Sequence, residues 1–130
     1  RYPEMSWDDY ISKQLTGTGL VQKGAIAGLD GSVWAVTPGW ALTQAECQSL
    51  AVGFTNNSGL VEKGMHLAGE KFFFLSATED VLRGKKGNKG IHVAKTNTAI
   101  IIGLYEDPIQ PGQCATTVEA LADYLKGCNF

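Results

Sequence analysis

The chain has few of the residues that would tie it to a metal, a bilayer or a nucleic acid. Its three cysteines, Cys47, Cys114 and Cys128, cannot all pair within one molecule, and their spacing offers no compact zinc cluster. The two histidines, His66 and His92, fall in no metal motif, so no metal or other cofactor is expected. No apolar run approaches the length needed to span a bilayer, and no apolar secretion segment opens the sequence. With the cysteine count, this points to a soluble protein of a reducing cytoplasm. A net charge of only −2 gives no overall bias toward nucleic acid, and none is expected as a partner.

What the chain does hold is enough apolar residues for a core, 44% of its 130 positions. That length supports one mixed domain and leaves too little for a second. Residues 1–5 carry no structural pattern and read as a flexible extension, with the domain expected over 6–130.

Helix signals sit near both ends. Ser6 is a candidate N-cap with Asp9 three positions on, and Trp7, Tyr10, Ile11 and Leu15 recur at helical spacing until Gly17 and Gly19. Thr43 and Glu46 repeat the capping pattern ahead of Ala45, Leu50, Ala51 and Phe54, and Asn56-Asn57-Ser58-Gly59 is expected to break that run. A last helix is expected to start between Gln113 and Thr117 and to reach Lys126, with Val118, Leu121, Ala122 and Leu125 as its buried stripe.

Strand signals fill the middle. Lys23 to Ala35 reads as a hairpin turning at Leu29-Asp30-Gly31. Lys71 to Thr78 contains Phe72-Phe73-Phe74-Leu75, a run that breaks alternation and points to burial on both faces of a sheet. Val81 to Lys86 and Ile91 to Thr96 are expected to pair across Gly87-Asn88-Lys89-Gly90, and the β-branched Ile100-Ile101-Ile102 mark Thr98 to Tyr105 as a further strand that Pro108 and Pro111 end. The fold class is α+β, a sheet packed by helices.

Charge is unevenly placed. Arg83, Lys85, Lys86, Lys89 and Lys95 form an acid-free stretch suited to an acidic protein face, a polyphosphate or an anionic lipid, although a solvated hairpin needs no partner at all. No enzyme is expected. Asp30, Glu62, His66, His92 and Cys114 form no motif that sets a nucleophile against a base, and Gly84, Gly87 and Gly90 lack the glycine, lysine and hydroxyl order of a phosphate loop.

Several fragments occur in a particular order: Ser6-Trp7-Asp8-Asp9-Tyr10, Gly28-Leu29-Asp30-Gly31-Ser32-Val33-Trp34-Ala35, Arg83-Gly84-Lys85-Lys86-Gly87, Ile91 through Tyr105, Pro111-Gly112-Gln113 and Leu121-Ala122-Asp123-Tyr124-Leu125. On these the chain resembles the profilin family from Ser6 to Phe130, closest in character to plant and amoeboid profilins. The resemblance implies a central antiparallel sheet with the N- and C-terminal helices packed together on one face and an additional helix on the other. It implies binding of monomeric actin with regulation of actin exchange and filament assembly, binding of proline-rich proteins including actin assembly factors, and sensitivity to phosphoinositides. Cytoplasmic placement with the actin cytoskeleton, and transient membrane association, follow from the same resemblance.

Residue by residue, the resemblance assigns Trp7, Tyr10, Trp34, Tyr124 and Phe130 to a proline-rich-ligand platform. Flat rings suit that ligand, because a preformed polyproline helix docks on aromatic faces at small ordering cost. The actin face is assigned to Val61, Lys71, Phe73, Arg83, Lys85, Lys89, Thr96, Gln113, Thr116 and Ala120, and phosphoinositide binding to Arg83, Lys85, Lys86, Lys89 and Lys95. Two departures matter. Phe130 lacks the hydroxyl that vertebrate relatives carry there, and Ala120 stands where some amoeboid relatives carry a basic residue. The second departure leaves open an adaptor for proline-rich peptides with weak or lost actin binding.

Overall fold

Ser6 begins the first helix as its sequence implies: its hydroxyl accepts from the Asp9 N–H at 3.1 Å while the Asp9 carboxylate accepts from the Ser6 N–H at 3.2 Å. The computed structural model describes residues 6–130, so the extension assigned to 1–5 lies outside the described residues. Helix α1 (Trp7–Asp9) runs on as a π-helical stretch, Tyr10–Leu15, and a 3-10 turn, Thr16–Thr18. This segment buries Tyr10, Ile11 and Leu15, three of the four apolar positions read from the sequence, and leaves Trp7 partly exposed.

Seven strands follow: β1 (Lys23–Gly28), β2 (Val33–Val36), β3 (Met65–Leu67), β4 (Glu70–Ala77), β5 (Val81–Lys86), β6 (Lys89–Lys95) and β7 (Ala99–Glu106). They form one sheet in the order β2-β1-β7-β6-β5-β4-β3, with every pairing antiparallel. The interior strand β7 is buried on both faces, and its side chains alternate between two cores. Ile100, Ile102 and Leu104 join Leu50, Leu60, Met65 and Phe72 under helices α2 (Gln44–Gly53) and α3 (Ser58–Lys63). Ala99, Ile101 and Tyr105 join Tyr10, Leu15, Val118, Leu121 and Leu125 under the first helix and α4 (Pro111–Gly127). Close approach of α4 depends on Gly103, where a Cβ would stand 2.5 Å from Val118 Cγ2.

Three expectations need correction. The Asn56 to Gly59 run ends α2 but also starts α3, because the Asn56 side chain accepts from the Ser58 N–H at 3.1 Å and its hydroxyl at 2.8 Å, turning the chain back into a helix that buries Leu60. Two helices therefore cover that face. Helix α4 begins at Pro111, ahead of the expected start, since a missing N–H costs nothing at a first helical position. The phenylalanine run is not buried on both faces: Phe72 is 1% exposed but Phe73 is 63% and Leu75 56%. Helix α4 packs on β6 and β7, leaving that side of β4 uncovered.

Candidate functional site

The first helix, β2, α4 and the residues after α4 bring together all five aromatic residues assigned to one platform. Trp7 is the hub. Its ring lies 4.9 Å from Trp34, 5.5 Å from Tyr10 and, edge to face, 5.1 Å from Phe130, and Tyr10 lies 6.2 Å from Tyr124. These separations are those of interacting rings, so the cluster is pre-organised. Trp7, Trp34 and Phe130 remain partly exposed and Tyr124 is exposed, whereas Tyr10 is buried and supports the others from beneath.

The chain end is fixed by a residue assigned elsewhere. Thr96 is 3% exposed; its hydroxyl accepts from the Ala99 N–H at 2.9 Å and donates to the Phe130 main-chain oxygen at 2.7 Å, and the Thr98 hydroxyl reaches the same oxygen at 2.6 Å. A side chain so enclosed offers nothing to an actin surface, so Thr96 is corrected from an actin contact to an anchor for Phe130. Tyr124 is held as a protonated phenol, its pKa pushed up to about 12, first by its interaction with Cys128. A groove of about 600 Å³ continues from the platform between the two helices, lined by Gln14, Thr116, Thr117 and Ala120 beside Tyr10 and Tyr124. Thr116 and Ala120 are thus placed on the exposed side of α4 next to the platform.

The basic stretch is divided by the sheet. Strand pairing sets Arg83 opposite His92 and Lys85 opposite Gly90, on the face that carries α4, and sets Lys86 opposite Lys89 on the other face. Arg83 and Lys85 share a cleft with Leu75, His92, Tyr105 and the first turn of α4, and Phe73 pairs with Lys85 across β4 and β5. Lys71 reaches over the Phe73 ring at 5.5 Å. Val61 on α3 is 60% exposed and Gln113 is exposed at the start of α4, where its side chain accepts from the Gln110 N–H at 2.9 Å. Lys95 stands apart, in a cleft with Asp80, Glu119, Asp123 and Lys126. The five cations assigned to phosphoinositide therefore do not form one patch. Strand alternation is the reason, and the spacing of Arg83, Lys85 and Lys86 contained it.

Residues unassigned from sequence complete these surfaces. Glu70 accepts from Lys86 at 3.0 Å and from Lys89 at 3.2 Å, and these contacts, led by Lys86, hold its carboxyl below the ordinary value despite some desolvation. His92 is 2% exposed and its Nε2 lies 2.7 Å from the Glu119 carboxylate, joining β6 to α4. Burial lowers the His92 pKa; Glu119 opposes this and Arg83 adds to it, with a net downward direction. No sequence motif marks either pair, because each joins distant strands and helices. Among the described residues no group of histidine, cysteine and carboxylate side chains is arranged to hold a metal ion.

A seven-stranded antiparallel sheet flanked by two helical layers, with ligand-sized aromatic faces at its terminal helices, defines a small binding domain. The profilin family model matches residues 5–130, and the chain belongs to the profilin family. It is 44% identical to profilin of Drosophila melanogaster over 126 residues, covering 97% of this chain and all of the fly protein. The crystal structure of Acanthamoeba castellanii profilin II superimposes with a TM-score of 0.93 at 42% identity, over 96% of this chain and 100% of that one. Mouse profilin IIa, solved in complex with a double repeat from the FH1 domain of mDia1, shares the fold at a TM-score of 0.80 and 21% identity, over 97% of this chain and 100% of that one. Insect and amoeboid relatives are equally similar to the chain, which widens the character read from the sequence.

Proposed function

We propose that this chain binds monomeric actin and regulates its exchange and assembly, and that it recruits proline-rich proteins through a separate aromatic platform. Membership of an actin-binding, non-enzymatic family supports the first part. The clustering of Trp7, Tyr10, Trp34, Tyr124 and Phe130 carries the second, since preformed aromatic faces meet pyrrolidine rings without further ordering. The actin surface comprises exposed Phe73 with Lys71, Arg83 and Lys85, together with Val61 on α3 and Gln113, Thr116 and Ala120 on α4. The apolar side chains supply contact area and the cations steer an acidic partner.

Phosphoinositide binding is the third element, centred on Lys86 and Lys89 at the tip of the β5–β6 hairpin, with Lys85 and Arg83 round its edge. A bilayer pressed on that tip also covers Lys85, so lipid and actin compete. The protein acts in the cytoplasm with transient membrane contact. Among the described residues no helix is long and apolar enough to cross a membrane.

Titration of the purified chain with monomeric actin, then of the same preparation with a proline-rich peptide, tests the reading. Binding of both ligands at once is expected. Peptide binding without actin binding would replace it with the adaptor reading, and actin binding without peptide binding would remove the platform's assigned role.

A further inference from the structure

The Lys86 and Lys89 ammonium groups converge on one atom, Oε2 of Glu70, at 3.0 and 3.2 Å. Glu70 starts β4 and pairs with Leu67, which aims its carboxylate along the same face of the sheet as the β5–β6 hairpin tip. Two donors on one anionic oxygen is the arrangement that a phosphate oxygen takes between two lysines. The carboxylate is not enclosed: its side chain is 27% exposed, and those of Lys86 and Lys89 are 51% and 33% exposed. An ion pair this open is weak enough for a multiply charged anion to displace.

We infer that Glu70 is an internal competitor for the headgroup site, an acidic residue that sets how much phosphorylated inositol lipid the hairpin tip binds. While the carboxylate bridges the two lysines, it neutralises charge that a headgroup needs and occupies the position of one phosphate oxygen. A headgroup binds by breaking both contacts and releasing Glu70 to water, so only a ligand of higher charge than a single carboxylate succeeds. The inference rests on the phosphoinositide reading given above and adds the residue that limits it.

Binding to phosphatidylcholine vesicles doped with a phosphorylated inositol lipid tests it, using the full chain and four variants. Glu70→Gln keeps the side chain's shape and frees both lysines; it is expected to tighten binding by about fivefold or more, the scale of one added cation near an anionic surface. Asp8→Asn, an exposed acid on α1, makes the same change in net charge and is expected to alter binding less than about twofold. Lys86→Gln with Lys89→Gln weakens binding, and adding Glu70→Gln to that pair yields no gain. Equal effects of the Glu70 and Asp8 changes, or a Glu70 gain that survives loss of both lysines, overturns the inference. Vesicle binding by the wild type with a flat Glu70→Gln response rejects only the competitor role, whereas no binding by either rejects the lipid reading as well. Parallel titration with a soluble inositol polyphosphate separates the sources. The same ranking with both makes the phosphates the ligand, a ranking on vesicles alone makes the membrane surface the source, and either upholds the role of Glu70.

Discussion

The aromatic corner and the basic hairpin were drawn from equally suggestive residues, and the fold treats them in opposite ways. At the corner, side chains from Trp7 to Phe130, separated by almost the whole chain, interlock around one indole. At the hairpin, cations adjacent in sequence part to opposite faces of a sheet, and two of them are bridged by a carboxylate from another strand. Helix packing gathers residues that are distant in sequence, whereas a strand separates neighbours by its period of two. A cluster in sequence is therefore weaker evidence for a site on a strand than the same cluster on a helix face.

Trp7→Ala gives the largest expected effect. Removing the hub exposes Tyr10 and leaves Trp34 and Phe130 without their shared ring contact, so affinity for a proline-rich peptide should fall about thirtyfold or more, about 2 kcal/mol or more, as for an interface anchor. Actin affinity should stay within about twofold in the same preparation, since the proposed contacts Lys71, Phe73, Arg83 and Lys85 lie on β4 and β5, away from Trp7. Isothermal titration of both ligands checks the contrast, and a matching loss of actin affinity would mean that the two regions are not independent.

Phe73→Ala probes the other region. An exposed aromatic ring, 63% accessible and flanked by Lys71, contributes little to folding but contact area to a partner. Actin binding is expected to weaken by about 1–2 kcal/mol with thermal stability almost unchanged. Arg83→Ala should act differently, lowering the association rate and its salt dependence more than the dissociation rate. Stopped-flow kinetics at two ionic strengths separates those contributions; a large fall in melting temperature for Phe73→Ala would return that ring to the core.

Much of this was legible in the sequence where local chemistry decides. Both capping boxes and the α4 stripe of Val118, Leu121, Ala122 and Leu125 follow from residue type and spacing, and the Ile100-Ile101-Ile102 strand follows from its β-branched run. The phenylalanine run misled, because its burial depends on how far α4 reaches across the sheet, which no local pattern encodes. Thr96 was misplaced for a related reason: its hydroxyl serves the Phe130 oxygen, 34 residues away. Glu70, His92 and Glu119 carried no signal, since their partners come from register and helix placement.

Thr96→Val sharpens the comparison by loosening the corner from beneath. The substitution keeps the shape but leaves the Ala99 N–H without its hydroxyl acceptor and the Phe130 oxygen with only the Thr98 groups, at a cost of about 1–2 kcal/mol in stability. Peptide affinity should drop about threefold as Phe130 gains freedom against Trp7, while actin affinity should hold. Chemical denaturation with paired titrations reads both, and a selective loss of actin binding would restore Thr96 to the surface from which its burial removed it.

The smallest effect is expected at Glu46, which belongs to neither region and calibrates both. Its carboxylate caps α2 through the Thr43 N–H at 3.0 Å and ties the β3–β4 turn through the Ala68 and Gly69 N–H groups, each at 2.9 Å. Desolvation acts to raise its pKa, but the N–H donors of Gly69, Thr43 and Ala68 outweigh it, and the folded value lies below the ordinary 4.5. A depressed carboxylate contributes its stability in full above the unfolded value and loses it as pH falls through the folded one. Glu46→Gln should therefore cost about 1 kcal/mol at neutral pH, and the gap to the wild type should close progressively below pH 4.5. Denaturant midpoints measured across that range supply the check. A gap that stays constant would assign the cost to helix capping geometry rather than to charge, and ligand affinities unchanged throughout would make Glu46 a baseline for the two binding regions.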